Sequence, residues 1–249
     1  MRKFYSKNYW SVGFQSRLYD RLSPESYFES MRRVVAFLPE GKSLNLLDAG
    51  CGSGLLLRFL EARIREGLVY TGTDFLKSGV GQALLRAQEL GIADRVSCFQ
   101  LDLTSLLPME GQKFDVVVGH FSLYTLASNE LRQLALKNLK AVIKAEGVLI
   151  LANPSVDYDA DSIIEQSVRL VREHNGFLAS LIKQYLVYPF TKAIGLRFIQ
   201  KQLSSGKWQA YTREEFSQEM ERAGFAVQHI EEVYAGSAFL GIGRLALTG

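Results

Sequence analysis

The stretch Leu46-Leu47-Asp48-Ala49-Gly50-Cys51-Gly52-Ser53-Gly54 restricts what this chain can fold into more than any other part of it. An apolar run of strand length, residues 44–49, passes through three glycines in five residues into a helix-like stretch, 55–66, where Leu56, Phe59, Leu60 and Ile64 share a face. Glycine accepts positive φ and lets backbone approach a ligand closely. The start of the following helix offers N–H groups with no partner inside the helix. A turn of this kind belongs at the carboxyl end of a strand in an open α/β sheet, where ligands bind.

The rest of the chain fits such a sheet. Strand-like runs at 69–74, 96–102, 114–119 and 148–152 alternate with helical patterns at 81–90 and 129–144, the first closed by Gly91 and the second capped by Ser128. Strands alternating with helices imply right-handed crossovers and a parallel sheet covered on both faces. Residues 155–210 are helix-like without a clear strand. Thr212-Arg213-Glu214-Glu215 then reads as a capping box, and 225–233 and 238–247 read as two final strands. The expected fold is α/β and Rossmann-like: a mostly parallel seven-stranded sheet with an antiparallel last hairpin, N-terminal helices and an inserted helical cap. The expected divisions are an N-terminal helical lid (1–43), an α/β core (44–154 and 211–249) and the cap (155–210).

Spacing narrows the ligand. The dinucleotide fingerprint is G-x-G-x-x-G, whereas this turn is G-x-G-x-G with Asp48 two residues before the first glycine. Residues 46–54 resemble the first motif of the class I S-adenosylmethionine-dependent methyltransferases, small-molecule type. A carboxylate at 48 suits a cationic ligand, through water or the methionyl ammonium, and repels a pyrophosphate. Asp74 lies 20 residues past Gly54, where a carboxylate can accept both ribose hydroxyls or cap the next helix. Asp102, in Gln100-Leu101-Asp102-Leu103, stands where the resembled family has an acid that accepts from the adenine amino group, with the next backbone N–H meeting a ring nitrogen.

Residues 119–126 are similar to the family's Asn-x-x-x-His-His stretch, but His120 replaces the small polar residue and Tyr124-Thr125 the histidine pair. The resemblance extends over about 40–155 and 210–249. It implies S-adenosylmethionine as cofactor, with Asp48, Gly50, Cys51, Gly52, Gly54, Asp74, Phe75, Asp102, Leu103, Gly119 and His120 as its binding residues. His120 and Tyr124 are the candidate bases by position, ahead of His174 and His229. No C-x-x-C or Cys/His cluster suggests a metal.

Methyl transfer from a sulfonium is an in-line displacement with a neutral leaving group, so alignment is the main task. A base is needed only when the acceptor must lose a proton. No Asn-Pro-Pro-Tyr or Asp-Pro-Pro-Tyr follows the fourth strand, against amino-group methylation of nucleic acid or protein of the type that uses that motif. The expected acceptor is a small apolar or amphiphilic molecule (a lipid, quinone-like ring or natural product), with no nucleic acid partner. A nicotinamide-linked oxidoreductase is opposed by the glycine spacing and Asp48, and a non-catalytic binding module by the intact acids at 48, 74 and 102.

Between Gly176 and Lys207 there are five basic residues and no acidic one, interleaved with apolar side chains. Three readings stand: a lid over a greasy substrate, a segment lying on an anionic membrane surface, or helices packed on the core with solvated lysines. Phe4, Tyr5, Tyr9, Trp10, Phe14, Tyr19 and Tyr27 make an aromatic N-terminal segment. Such rings suit a wall near a sulfonium or a cover for the sheet, and Leu18-Tyr19-Asp20-Arg21 resembles a motif with which the family's first helices begin. The net charge is +3 and the two cysteines, Cys51 and Cys98, make no disulfide framework. No run has the length and apolarity of a transmembrane helix, and the basic start has no apolar core of a secretory signal. A cytoplasmic protein, at most peripheral to a membrane, is expected. The oligomeric state stays open.

Overall fold

In the computed structural model, Leu46 and Leu47, Val116 to Val118, and Leu149 to Leu151 are all buried. Consecutive buried residues mark strands enclosed on both faces by helices. The structure describes residues 18–105 and 111–246. The aromatic residues Phe4, Tyr5, Tyr9, Trp10 and Phe14 and the basic start, 1–7, lie outside the described residues, as do the side chain of Tyr19 and the end of the final strand at Leu247.

The elements are α1 (Leu18–Leu22), α2 (Glu25–Ala36), β1 (Asn45–Ala49), α3 (Leu57–Glu66), β2 (Val69–Asp74), α4 (Lys77–Glu89), β3 (Val96–Gln100), β4 (Phe114–His120), α5 (Asn129–Val142) and β5 (Ile143–Pro154). After β5 come α6 (Ala160–Asn175), α7 (Phe177–Ile182), two π-helical stretches either side of a short α-turn, and α8 (Arg197–Ser204). The chain then returns through α9 (Arg213–Arg222) to β6 (Phe225–Val233) and β7 (Ala238–Leu245). The seven strands lie in the order β3-β2-β1-β4-β5-β7-β6. β1 to β5 are parallel, and β7 runs antiparallel between β5 and β6. This is the expected mostly parallel sheet with an antiparallel last hairpin. The chain reverses its direction across the sheet between β1 and β4, which makes the carboxyl ends of those neighbours the crevice.

Four boundaries differ clearly from expectation. α4 begins at Lys77 rather than Gly81. Gly79 argues against a helix start, but a Cβ there would stand 3.0 Å from the Gly52 carbonyl oxygen, so glycine is what lets this first turn tuck under the glycine loop. α5 stops at Val142, and β5 begins at Ile143 instead of Val148. Lys144 pairs with Asp115 at 2.8 Å and draws this stretch along β4, with a register shift between Phe114 and Val116. β3 ends at Gln100, leaving Asp102 in the turn beyond it.

Residues 155–210 join the core through α6, which packs on α2. Ser26 and Ser167 hydroxyls lie 2.9 Å apart there, and the Thr191 hydroxyl donates to the Leu22 carbonyl at 2.7 Å. Behind them the Arg132 guanidinium bonds Glu219 (3.3 Å), Gln209 (3.1 Å) and the Leu126 carbonyl (3.4 Å), tying α5 to α9 and to the end of this segment.

Candidate active site

The glycine turn is held by its neighbour strand. Gly50 and Cys51 both donate their N–H to the Thr73 carbonyl (2.7 and 2.8 Å), and Gly52 donates to Asp74 Oδ2 at 2.9 Å. Gly50 has φ 89°, and a Cβ there would lie 2.3 Å from Ser122 Cβ. Gly54 has φ 70° and faces α4, where a Cβ would meet that of Ala83 at 2.8 Å. The first glycine thus clears the loop after β4, and the third lets two helices meet.

A cavity of about 580 Å³ opens at the carboxyl ends of the strands, within the usual size range for small-ligand sites. Of the residues expected from sequence, Asp48, Gly50, Cys51, Gly52, Asp74, Phe75, Asp102, Leu103 and His120 line it. Gly54, Gly119 and Tyr124 stand outside the lining. Gly119 sits against Leu151, with room for no Cβ (2.7 Å), and the buried Tyr124 ring packs edge-on to Trp208 at 5.5 Å. His174, beside Glu25, and His229, beside Glu231, are not among the lining residues either.

The three acids differ in their surroundings. Asp48 is 3% exposed and accepts the Tyr70 hydroxyl at 2.6 Å. Burial pushes its pKa up to about 7, against the lowering effect of that bond, and the Asp74 charge adds to the rise. Asp74 accepts Leu76 N–H at 2.7 Å on Oδ1 and Gly52 N–H on Oδ2, so it caps α4 and clamps the glycine loop at once. Its pKa is raised by burial, which outweighs the two backbone bonds. Each oxygen still has a lone pair for a ligand hydroxyl. Asp102 accepts both the N–H and the hydroxyl of Thr104 on Oδ1, an Asx turn that leaves Oδ2 for the cavity. Cys51 and Cys98 are both free, and their mutual contact, with burial, holds the Cys51 thiol well above its ordinary pKa.

The other end of the cavity is aromatic. The Tyr27 ring on α2 lies 5.0 Å from His120 and 5.7 Å from Phe121, and Phe121 packs on Tyr234 at 5.4 Å. Phe121 and Tyr234 both hold positive φ (52° and 58°), a conformation that non-glycine residues keep only where packing enforces it. His120 Nε2 is 2.9 Å from Ser30 Oγ, and that hydroxyl is already spent donating to the Tyr27 carbonyl at 2.8 Å. Ser30 therefore accepts from Nε2–H, and Nδ1 carries the lone pair. Among the described residues Nδ1 is buried with no hydrogen-bond partner, as is Oγ of Ser122, another lining residue. Burial brings the His120 pKa down to about 3. The ring is neutral near pH 7.

Several lining residues had no sequence signal. Met31 arrives with α2, whose position depends on its packing against α6; Tyr27, on the same helix, is one of the aromatic residues read from the N-terminal sequence as a wall. Thr125, Leu126, Ala127 and Leu131 belong to the turn and helix after β4. Ser30 was invisible because its partner, His120, is 90 residues away. Asp20 had a partial signal in Tyr19-Asp20: its carboxylate accepts Ser53 Oγ at 2.7 Å and pairs with Arg86, drawing α1 onto the glycine turn.

Residues 40–224 match the model of a family described as a methyltransferase domain. The chain is 34% identical over 158 residues to the mRNA cap guanine-N(7) methyltransferase of Schizosaccharomyces pombe, covering 59% of this chain and 43% of that protein. It is 26% identical over 147 residues to the ubiquinone biosynthesis O-methyltransferase of Rickettsia felis, covering 59% and 56%. The chain thus spans about half the length of the curated relatives it matches. Among solved structures, a SAM-dependent methyltransferase from Aquifex aeolicus superposes with a TM-score of 0.62 at 17% identity, over 92% of this chain and 97% of that one, a likeness of fold. The chain belongs to the class I methyltransferases, whose cofactor is S-adenosylmethionine.

Proposed function

We propose that the chain transfers a methyl group from S-adenosylmethionine to the hydroxyl of a small apolar or amphiphilic acceptor. The observation that carries this is the division of one cavity between acidic residues (Asp48, Asp74, Asp102) and aromatic ones (Tyr27, His120, Phe121), with His120 Nδ1 buried and unpartnered among the described residues. When bound, the cofactor supplies an electrophilic sulfonium methyl.

The chain's residues do the rest. Asp74 holds the ribose hydroxyls, Asp102 and the Leu103 N–H the adenine, and Asp48 with the loop 50–52 the methionyl end. Tyr27 and Phe121 wall the acceptor against water, and alignment supplies most of the rate. His120 Nδ1 accepts the acceptor's O–H. A base of low pKa suffices there, because the hydroxyl proton becomes strongly acidic as the new C–O bond forms. Of the N-terminal division 1–43, the described residues act as a lid over this end, to which Tyr27 and Met31 belong. Among the described residues none from 155–210 lines the cavity, so that segment acts as a cap on α2 and not as cavity wall. The chain works in the cytosol, in peripheral contact with a membrane.

Turnover of a panel of lipophilic phenols and quinols, beside a cap guanosine and a tRNA fragment, with tritiated cofactor tests the reading. Methylation of the phenols alone is expected. Methylation of the nucleotides alone would replace this acceptor class with a nucleobase.

A further inference from the structure

Among the described residues, the largest group of exposed apolar side chains stands on one short stretch, 177–194. Leu178, Ile182, Leu186, Phe190 and Ile194 are each half or more exposed, and they recur every four residues. In a regular α-helix such a row drifts about 40° per step, since a turn holds 3.6 residues. Here the π-helical stretches Lys183–Val187 and Thr191–Leu196 intervene. Their wider turns rotate the row back, so the five side chains stay on one side. Ser180, Tyr188, Thr191 and Leu196 are buried on the other. The outward side is therefore a continuous apolar ridge, and the buried side is fixed by Thr191 to the carbonyl of Leu22.

Charge selects the occupant. Lys183, Lys192, Arg197, Lys201 and Lys207 fall in this segment with no acid among them. Lys183 is paired with Glu25 and Lys192 with Asp161, while Arg197, Lys201 and Lys207 are exposed and have no ion pair among the described residues. A second copy of this face would meet its own positive charge. The first 17 residues, with Arg2, Lys3, Lys7 and Arg17 and no acid, carry the same sign. Nucleic acid would take the charge but leave the aliphatic ridge wet. An apolar ridge flanked by Lys and Arg matches the boundary of a bilayer bearing anionic headgroups, into which such a segment sinks its apolar face.

We propose that residues 177–201 dock the protein on an anionic lipid surface, Leu178, Ile182 and Leu186 entering the acyl boundary and Arg197 and Lys201 meeting headgroups. The docking stands whatever the acceptor is. It gives a purpose to the amphiphilic acceptor proposed above, because α2, to which this segment is tied by the Lys183–Glu25 pair, also carries Tyr27 and Met31 into the cavity.

Flotation of the full chain with phosphatidylcholine vesicles, with and without phosphatidylglycerol, tests this. The protein should float with the anionic vesicles, stay behind with the neutral ones, and float less as salt rises. Leu178→Ser with Leu186→Ser should lower partitioning by about tenfold or more through lost apolar burial. Arg197→Glu with Lys201→Glu should lower it by a similar factor. Both variants should bind S-adenosylmethionine in calorimetry as the unaltered chain does, which reports an intact fold separately from docking. No flotation with anionic vesicles, or equal flotation with neutral ones, would overturn the proposal. So would a dimer in sedimentation that Leu178→Ser with Leu186→Ser disperses.

Discussion

The Tyr70 hydroxyl donates to Asp48 Oδ2 at 2.6 Å between the paired strands β1 and β2, under the glycine turn. That one bond works against the burial that pushes the Asp48 pKa up to about 7. The folded carboxyl therefore binds a proton that the unfolded one, near 3.8, has released. Its contribution to stability is present below that lower value and is lost as pH rises toward 7. A cationic methionyl group beside Asp48 works the other way, since it favours the carboxylate. Cofactor affinity is expected to rise by up to about tenfold per pH unit below 7 and to level above it. Tyr70→Phe should move that midpoint upward, and Asp48→Asn should flatten the profile. Calorimetry across pH 5.5–8.5 reads all three, and a flat profile for the unaltered chain would separate Asp48 from the ligand's charge.

His120 and Ser30 make a second test. Ser30→Ala removes the acceptor that keeps the proton on Nε2, so the ring can turn or change tautomer and the Nδ1 lone pair is no longer fixed. Turnover should fall by roughly tenfold to a hundredfold, part of what a positioned base supplies, with cofactor affinity unchanged. His120→Ala should lose at least as much. If both variants kept full kcat, the base would have to be sought elsewhere in the cavity.

Gly50→Ala separates backbone from side-chain roles in the turn. Its Cβ would meet Ser122 Cβ at 2.3 Å with φ 89°, so the loop after β4 must shift and cofactor binding should drop along with thermal stability. Gly81→Ala is the control, because its added Cβ meets nothing within 4 Å. In mid-helix it should raise stability by about 0.5–1 kcal/mol. Thermal melts with and without cofactor distinguish the two.

The buried pair of Arg132 and Glu219, 7% and 8% exposed, predicts stability away from the cavity. Glu219→Ala strands the guanidinium and removes the partner of the Tyr211 hydroxyl (2.9 Å), at a cost of about 3–5 kcal/mol. Replacing both members, Arg132→Met with Glu219→Leu, should recover most of that loss, because no unpaired charge remains. Urea denaturation of the three variants checks this.

Much of this molecule was legible in its sequence where information is local. The strands announce themselves as apolar runs, the Thr212–Glu215 capping box is present as read, and the spacing of Gly50, Gly52 and Gly54 after Asp48 pointed to the family. Residues whose meaning depends on distant partners were not legible. Tyr124 looked like a base by position, yet it turns toward Trp208, 84 residues later in the chain. Ser30 reads as an ordinary helix residue until α2 is laid against β4. Gly79 spoke against the first turn of α4, and only the approach of the Gly52 carbonyl explains it. The segment 155–210 was the least legible, because its π-helical turns break the 3.6-residue period on which a helical face is recognised.

The central claim is that the carboxylates gathered around the glycine turn hold S-adenosylmethionine. Calorimetric titration of the full chain with S-adenosylmethionine, S-adenosylhomocysteine and NAD, repeated with Asp74→Asn, tests it most directly. Both sulfur compounds should bind and NAD should not, and the substitution should weaken binding by about tenfold to a hundredfold, as expected for lost hydrogen bonds to a charged group. Absence of binding by either sulfur compound, or an affinity untouched by Asp74→Asn, would contradict it.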